Sequence, residues 1–160
     1  MFGSGDIEKS ISLIRGTEEG SRILNYLESD EHIMSVTLTT GGGDLGSTVI
    51  STMSKIVGEK PSWWEFWKSP TRIDISIVQT KINMNVSDPS LIAVDGSKFN
   101  PSLTRIVAHE LGHAYNFSRH GSGNYRHNSI KIENTIMQQL DPNSTVRHQS
   151  LGHGGIGSQF

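Results

Sequence analysis

The sequence predicts a single α+β domain. Three observations carry this reading. Apolar stripes at helical spacing sit near the start of the chain, short alternating β-branched runs fill its middle, and two amphipathic helical segments occupy its C-terminal third. At 160 residues the chain is long enough for one domain with a real core. No internal repeat or linker divides it, so residues 1–160 read as one unit. Residues 1–5 and about 150–160, rich in Gly and Ser, are expected to be flexible.

Each element has a local reason. Asp6–Arg15 places Ile7, Ile11 and Ile14 on one side of a short helix. Thr17–Glu28 forms a second, with Ile23, Leu24 and Leu27 as its stripe. Glu18 and Glu19 lie in its first turn, where the helix dipole favours acids. His32–Thr40 is β-branched and alternating, hence a strand. Residues 41–46, GGGDLG, read as a turn, and 48–53 as a second strand. Arg72–Gln79 alternates as a half-buried strand, and Ile82–Val86 and Leu91–Val94 are shorter candidates. An edge strand from the 71–94 region is a template onto which an extended peptide can pair. Pro101–Phe117 predicts a long helix, with Pro101 in the first turn and Leu103, Ile106, Val107, Leu111, Ala114 and Phe117 on its apolar face. Residues 119–128 read as a loop. Ser129–Leu140 is a further helix, stopped before Asp141-Pro142.

Composition removes several functions. Lys+Arg 14 against Asp+Glu 16 gives a net charge of -2, without the basic excess that attracts phosphate, so no nucleic-acid partner is expected. No apolar run approaches the roughly 18 residues of a transmembrane segment. The start, MFGSGDIEKS, shows no cleavable signal peptide. With no cysteine, disulfides, thiol catalysis and thiolate zinc sites are excluded. Any metal must be held by imidazole and carboxylate.

The strongest chemical signal is His109-Glu110-Leu111-Gly112-His113, an H-E-x-x-H placed inside the predicted helix. At i and i+4 the two imidazoles project from one face, about 5–6 Å apart at Cβ. Both rings can then reach one Zn²⁺ at about 2.0–2.1 Å. Glu110 is rotated roughly 100° from His109. It faces a metal-activated water, where it can serve as the base. Gly112, lacking a side chain, lets a neighbouring element approach closely.

A catalytic zinc takes a third protein ligand and keeps one open position. The extended form HExxHxxGxxH fails here, because Asn116 and Arg119 stand where its Gly and His belong. His120 lies about 10 Å beyond His113 along a continuing helix, too far for the same ion. Glu133, on the following helix, is the leading candidate, brought over the two His by a helix–loop–helix hairpin. Asp141 competes, although a turn role beside Pro142 suits it better.

The stretch AHELGHAYNFSRHG followed by IKIENTIMQQLDPNSTVRHQ resembles the NleD-like family of bacterial type III effector zinc metalloproteases, and related C-terminal toxin domains of Rhs-type polymorphic toxins. IRGTEEGSRILNYLE (14–28) resembles that family's N-terminal helix–strand unit. The resemblance implies a zincin-like metallopeptidase fold, with a small sheet packed on the HExxH helix and a ligand-bearing helix after it. It implies His109, His113 and Glu133 as ligands of one catalytic Zn²⁺, and Glu110 as the base. Arg147 matches a basic residue that often follows the ligand helix. Met137 departs from the pattern, since relatives tend to carry Arg four residues past the Glu. The central segment 41–98 matches no motif.

The developing oxyanion needs a donor. Tyr115, Tyr125, Arg147 and His148 are the candidates. Tyr115 sits about 200° around the helix from His113, which suits core packing. Arg147 and His148 either fold back over the site or stay on a solvated loop. Asn134 and Asn116 are candidate hydrogen-bond partners of the ligands. Trp63, Trp64, Phe66 and Trp67 form a core cluster, a protruding apolar loop that grips a substrate, a cognate immunity protein or a delivery shell, or, as the least favoured reading, a membrane-surface contact.

The expected function is zinc-dependent cleavage of a protein or peptide substrate. By resemblance, the chain is an effector or toxin domain delivered by a specialised secretion system (type III, or type VI with an Rhs shell) into the target-cell cytoplasm. Two alternatives are a zinc hydrolase of cell-wall peptides and a non-catalytic zinc-containing binding module.

Overall fold

The computed structural model describes residues 4–29, 32–39, 46–56, 72–83, 90–120 and 126–149. Helix α1 (Ser4–Arg15) leads into α2 (Glu18–Leu27), then strands β1 (His32–Thr39), β2 (Gly46–Ile56), β3 (Arg72–Asn83), β4 (Leu91–Ile92) and β5 (Lys98–Phe99). Helices α3 (Leu103–His120) and α4 (Arg126–Leu140) complete the described elements. This is a small α+β domain.

Thr17 explains where α1 ends and α2 begins. Its extended backbone (φ -96, ψ 153) breaks the helix, and its Oγ1 accepts from Gly20 N at 3.0 Å. The same hydroxyl donates to the Ile14 carbonyl at 2.7 Å, so one side chain closes two helix ends.

The main sheet has the order β1-β3-β2, with β1 parallel and β2 antiparallel to β3. β3 runs unbroken to Asn83, so Ile82 belongs to it and not to a separate short strand. Over residues 76–82 both sides of β3 are paired, with β1 and with β2, so this stretch is not the edge strand expected of the 71–94 region; among the described residues 72–75 pair with β2 alone. Among the described strands of this sheet, the outer positions belong to β1 and β2.

β4 and β5 form a two-residue antiparallel ladder, Leu91 opposite Phe99 and Ile92 opposite Lys98. The segment following α4 joins it. Ala93 bridges Arg147, Val94 N donates to the Val146 carbonyl at 2.9 Å, and His148 N donates to the Ile92 carbonyl at 2.9 Å.

α3 is the central element, packed against α1, α2, α4, β2 and β3. The core gathers Ile14 from α1, Ile23, Leu24 and Leu27 from α2, and Ile82 from β3 around Ile106, Val107, Leu111 and Ala114 of α3. Ile132 and Ile136 of α4 close it. Several boundaries differ from the sequence expectation: besides β3, β2 spans Gly46–Ile56 where 48–53 is expected, β4 ends at Ile92 and α3 begins at Leu103. Ser4 and Gly5 belong to α1. α3 continues through His120 and α4 begins at Arg126, so both ends of the expected 119–128 loop are helical. The Trp63–Trp67 cluster, Tyr125 and the 150–160 tail lie outside the described residues. Among the described residues no helix is long and apolar enough to cross a membrane.

Candidate metal centre

The i, i+4 spacing on α3 does what helical geometry requires. The His109 and His113 rings meet edge to face, with centroids 4.7 Å apart and planes at 87°. Their Nε2 atoms converge to 3.1 Å. Two nitrogens bound to one tetrahedral Zn²⁺ at about 2.0–2.1 Å stand about 3.3 Å apart. The imidazole pair therefore fits two corners of such a site with little adjustment.

Each ring is held from behind. His113 Nδ1 lies 3.1 Å from Ser129 Oγ on α4. Ser129 Oγ accepts from Asn116 Nδ2 at 3.2 Å, and Asn116 Oδ1 accepts from Asn128 Nδ2 at 2.8 Å. The approach of α4 depends on Gly112, as expected: a Cβ there would sit 3.1 Å from Ser129 Cα and 3.2 Å from its carbonyl oxygen. His109 Nδ1 lies 3.0 Å from Glu133 Oε2.

Glu133 is fully buried, in a cluster of charges. Arg105 Nη1 donates to Oε1 at 3.0 Å, and Arg147 Nη1 to Oε2 at 2.9 Å. Arg105 also donates to Ser144 Oγ at 2.9 Å and to the Thr145 carbonyl at 2.6 Å. Burial pushes the Glu133 carboxyl up. The bond from His109 and the charges of His109, Arg147 and Arg105 outweigh that and hold it below the usual carboxylate range. The structure thus brings Glu133 to His109, but on the Nδ1 side, away from the converging Nε2 atoms. Among the described residues, no three His, Cys, Asp or Glu side chains are gathered as a metal set.

Glu110 points to a different neighbour. Thr48 Oγ1 on β2 donates to its Oε2 at 2.6 Å, and Thr48 in turn meets Thr80 of β3 at 3.1 Å. Gly46 makes room for the carboxylate, since a Cβ there would lie 2.3 Å from Oε1. Burial raises the Glu110 pKa, against the opposing pull of His109, the Thr48 bond and Arg147. A carboxyl tuned upward beside the His109 imidazole is suited to taking up and returning a proton.

The remaining candidates separate. Arg147 folds back and is buried, its backbone clasped by Asn134, which accepts from Arg147 N at 2.8 Å and donates to its carbonyl at 2.9 Å. Asn134 therefore fixes Arg147. His148 follows it, half-buried and tied through its backbone to β4. Tyr115 packs in the core edge to face on Tyr26 (5.1 Å, 76°), and its hydroxyl takes the guanidiniums of Arg22 and Arg119. That environment is structural and does not present the hydroxyl to the His pair. Asp141 is exposed and accepts from Asn143 N at 2.9 Å, the turn role expected of it. Arg105 went unread in the sequence. The only signal was its place one turn before His109 on the same helix face.

No protein-family model, curated protein or solved structure matches the chain.

Proposed function

We propose that this chain is a zinc-dependent endopeptidase with a zincin-like arrangement, related to the NleD-like effector and Rhs-associated toxin domains its C-terminal motifs resemble. The observation that carries the reading is the 3.1 Å convergence of His109 and His113 Nε2 with the buried, upward-shifted Glu110 beside them. A helix that merely contained these letters would have no reason to bury a carboxylate against a glycine and a threonine of the sheet.

What zinc supplies when bound is Lewis acidity toward the scissile carbonyl and a more acidic water. His109 and His113 would hold it through Nε2. The Glu110 carboxylate takes a proton from the attacking water as its oxygen bonds the carbonyl carbon. It then returns that proton to the leaving amine nitrogen as the C–N bond breaks. Thr48 keeps the Glu110 carboxylate aimed during both transfers. In this reading the substrate is a protein of the cell into which the domain is delivered.

The test pairs metal content with Glu110→Gln. The wild-type chain should carry about one zinc. The variant should keep the metal and the fold while cleavage falls by at least about 10²-fold. Full cleavage by Glu110→Gln, or a wild-type chain that binds no zinc, would refute the proposal.

A further inference from the structure

We infer that Glu133 is a positioning residue behind His109 and not a metal ligand. It accepts the His109 Nδ1 proton and, clamped between Arg105 and Arg147, turns the His109 Nε2 lone pair toward His113. The purpose of this arrangement rests on the zinc reading above, but the placement of the proton does not.

Three observations converge. First, the two ring nitrogens of an imidazole point away from each other. An oxygen 3.0 Å from Nδ1 therefore lies on the far side of the ring from the Nε2 pair. Second, both Glu133 oxygens are engaged, Oε1 by Arg105 and Oε2 by Arg147 and His109. A carboxylate offers about four lone-pair sites, and three donors already converge on it. Third, two contacts at His109 Nδ1 ask for opposite tautomers. Arg147 Nη1 at 3.4 Å would donate to a bare Nδ1, whereas the Glu133 carboxylate at 3.0 Å can only accept. The shorter, charge-assisted contact decides, because a bare Nδ1 would set two lone pairs against each other at 3.0 Å. Nδ1 carries the proton, and Nε2 is left as the electron donor. Carboxylate–imidazole pairs of this kind fix ring orientation and make the outward nitrogen more basic toward a metal.

The clamp explains why two arginines are buried here. A single carboxylate bonded only to a neutral imidazole would have to leave water uncompensated. Arg105 and Arg147 compensate it from two sides and leave the His109 bond directional. Their own anchors, the Thr145 carbonyl for Arg105 and Asn134 for the Arg147 backbone, hold the clamp in place.

The experiment uses the full chain, ¹⁵N-labelled and metal-free, with long-range ¹H–¹⁵N correlation on the histidine rings. The His109 ring should carry a proton on Nδ1. In Glu133→Gln it should keep that proton, since a carboxamide oxygen also accepts. The Nδ1 proton should shift upfield as the acceptor loses its charge. A wild-type His109 in the Nε2–H form, or an Nδ1 signal unmoved by the substitution, overturns the inference. Zinc affinity, measured by chelator competition, adds a second readout. Glu133→Gln should bind one zinc per chain about 10–100-fold more weakly, with an unchanged Co²⁺ absorption spectrum. Loss of stoichiometric binding, as expected for His113→Ala, would instead make Glu133 a ligand. A wild-type chain that shows the Nδ1 proton and binds no zinc would sink the peptidase reading and leave this assignment standing.

Discussion

Replacing Arg105 with Met tests the charge cluster where its arithmetic is clearest. Met keeps much of the side-chain length and packs in apolar surroundings, but donates nothing. The substitution removes one charge-assisted bond to Glu133 Oε1 (3.0 Å), two further bonds, to Ser144 Oγ (2.9 Å) and the Thr145 carbonyl (2.6 Å), and a long, weak one to Asn134 Oδ1 (3.5 Å). The first contributes about 1.5–3 kcal/mol and the others about 0.5–1.5 kcal/mol each. Arg105 is only 3% exposed, so water cannot readily replace it. Glu133 keeps Arg147 and His109, which softens the loss. A cost of about 3 kcal/mol at pH 7 follows, at the low end for breaking a buried ion pair. The pH dependence makes the prediction specific. The folded-state pKa of Glu133 is depressed, so its contribution is present above the unfolded pKa and lost as pH falls through the folded value. Arg105→Met raises that folded pKa toward the unfolded one. The stability gap between wild type and variant should therefore narrow on acidification. Urea unfolding at several pH values measures it. A gap below about 1 kcal/mol at pH 7, or one that stays constant down to acid pH, would refute the reasoning.

Three other substitutions probe the site. If Glu110 is the proposed base it must be deprotonated to act, and activity should rise as pH passes through its raised pKa. Thr48→Val deletes a bond that stabilises the carboxylate, and the acid limb of the kcat/KM profile should move to higher pH; a limb that moves lower contradicts this. Gly46→Ala places a methyl 2.3 Å from Glu110 Oε1 and displaces the base, so kcat should fall by about 10–100-fold with little change in Tm. Gly112→Ala sets a methyl 3.1 Å from Ser129 Cα, a backbone atom that cannot rotate away. It should cost about 1–3 kcal/mol in denaturant unfolding and weaken zinc binding by loosening Ser129 from His113.

The helices were legible because their signals are local. Thr17, the acidic pair after it and the Ile23, Leu24 and Leu27 stripe place α2 within a residue of its limits, and H-E-x-x-H sets His109 and His113 on one face wherever the helix forms. Strand order was not legible. Nothing in the alternation of Arg72–Gln79 says whether a strand lies at the centre or the edge, because both faces of that choice read alike until partners are known. Arg105 stayed hidden for a related reason. In a helix an arginine ordinarily reads as a solvated residue, and only the distant Glu133 and Thr145 make burial tolerable. Arg147 and Ala93 likewise declare their pairing only when the ends of separate segments meet. Glu133 was identified as part of the site from its helix, but the side of His109 it takes depends on two arginines that no spacing rule connects.

The Ala93–Arg147 bridge and the Arg105–Thr145 bond join parts of the chain that leave the ribosome at different times. During synthesis α3 and both its histidines emerge well before Arg147. Until residues 144–148 dock, Glu133 lacks the Arg147 half of its clamp and Arg105 lacks its carbonyl anchor. A nascent or C-terminally nicked chain would thus hold the H-E-x-x-H helix without the surroundings that orient His109. The orientation of His109 is therefore complete only when residues 144–148 are docked beside β4.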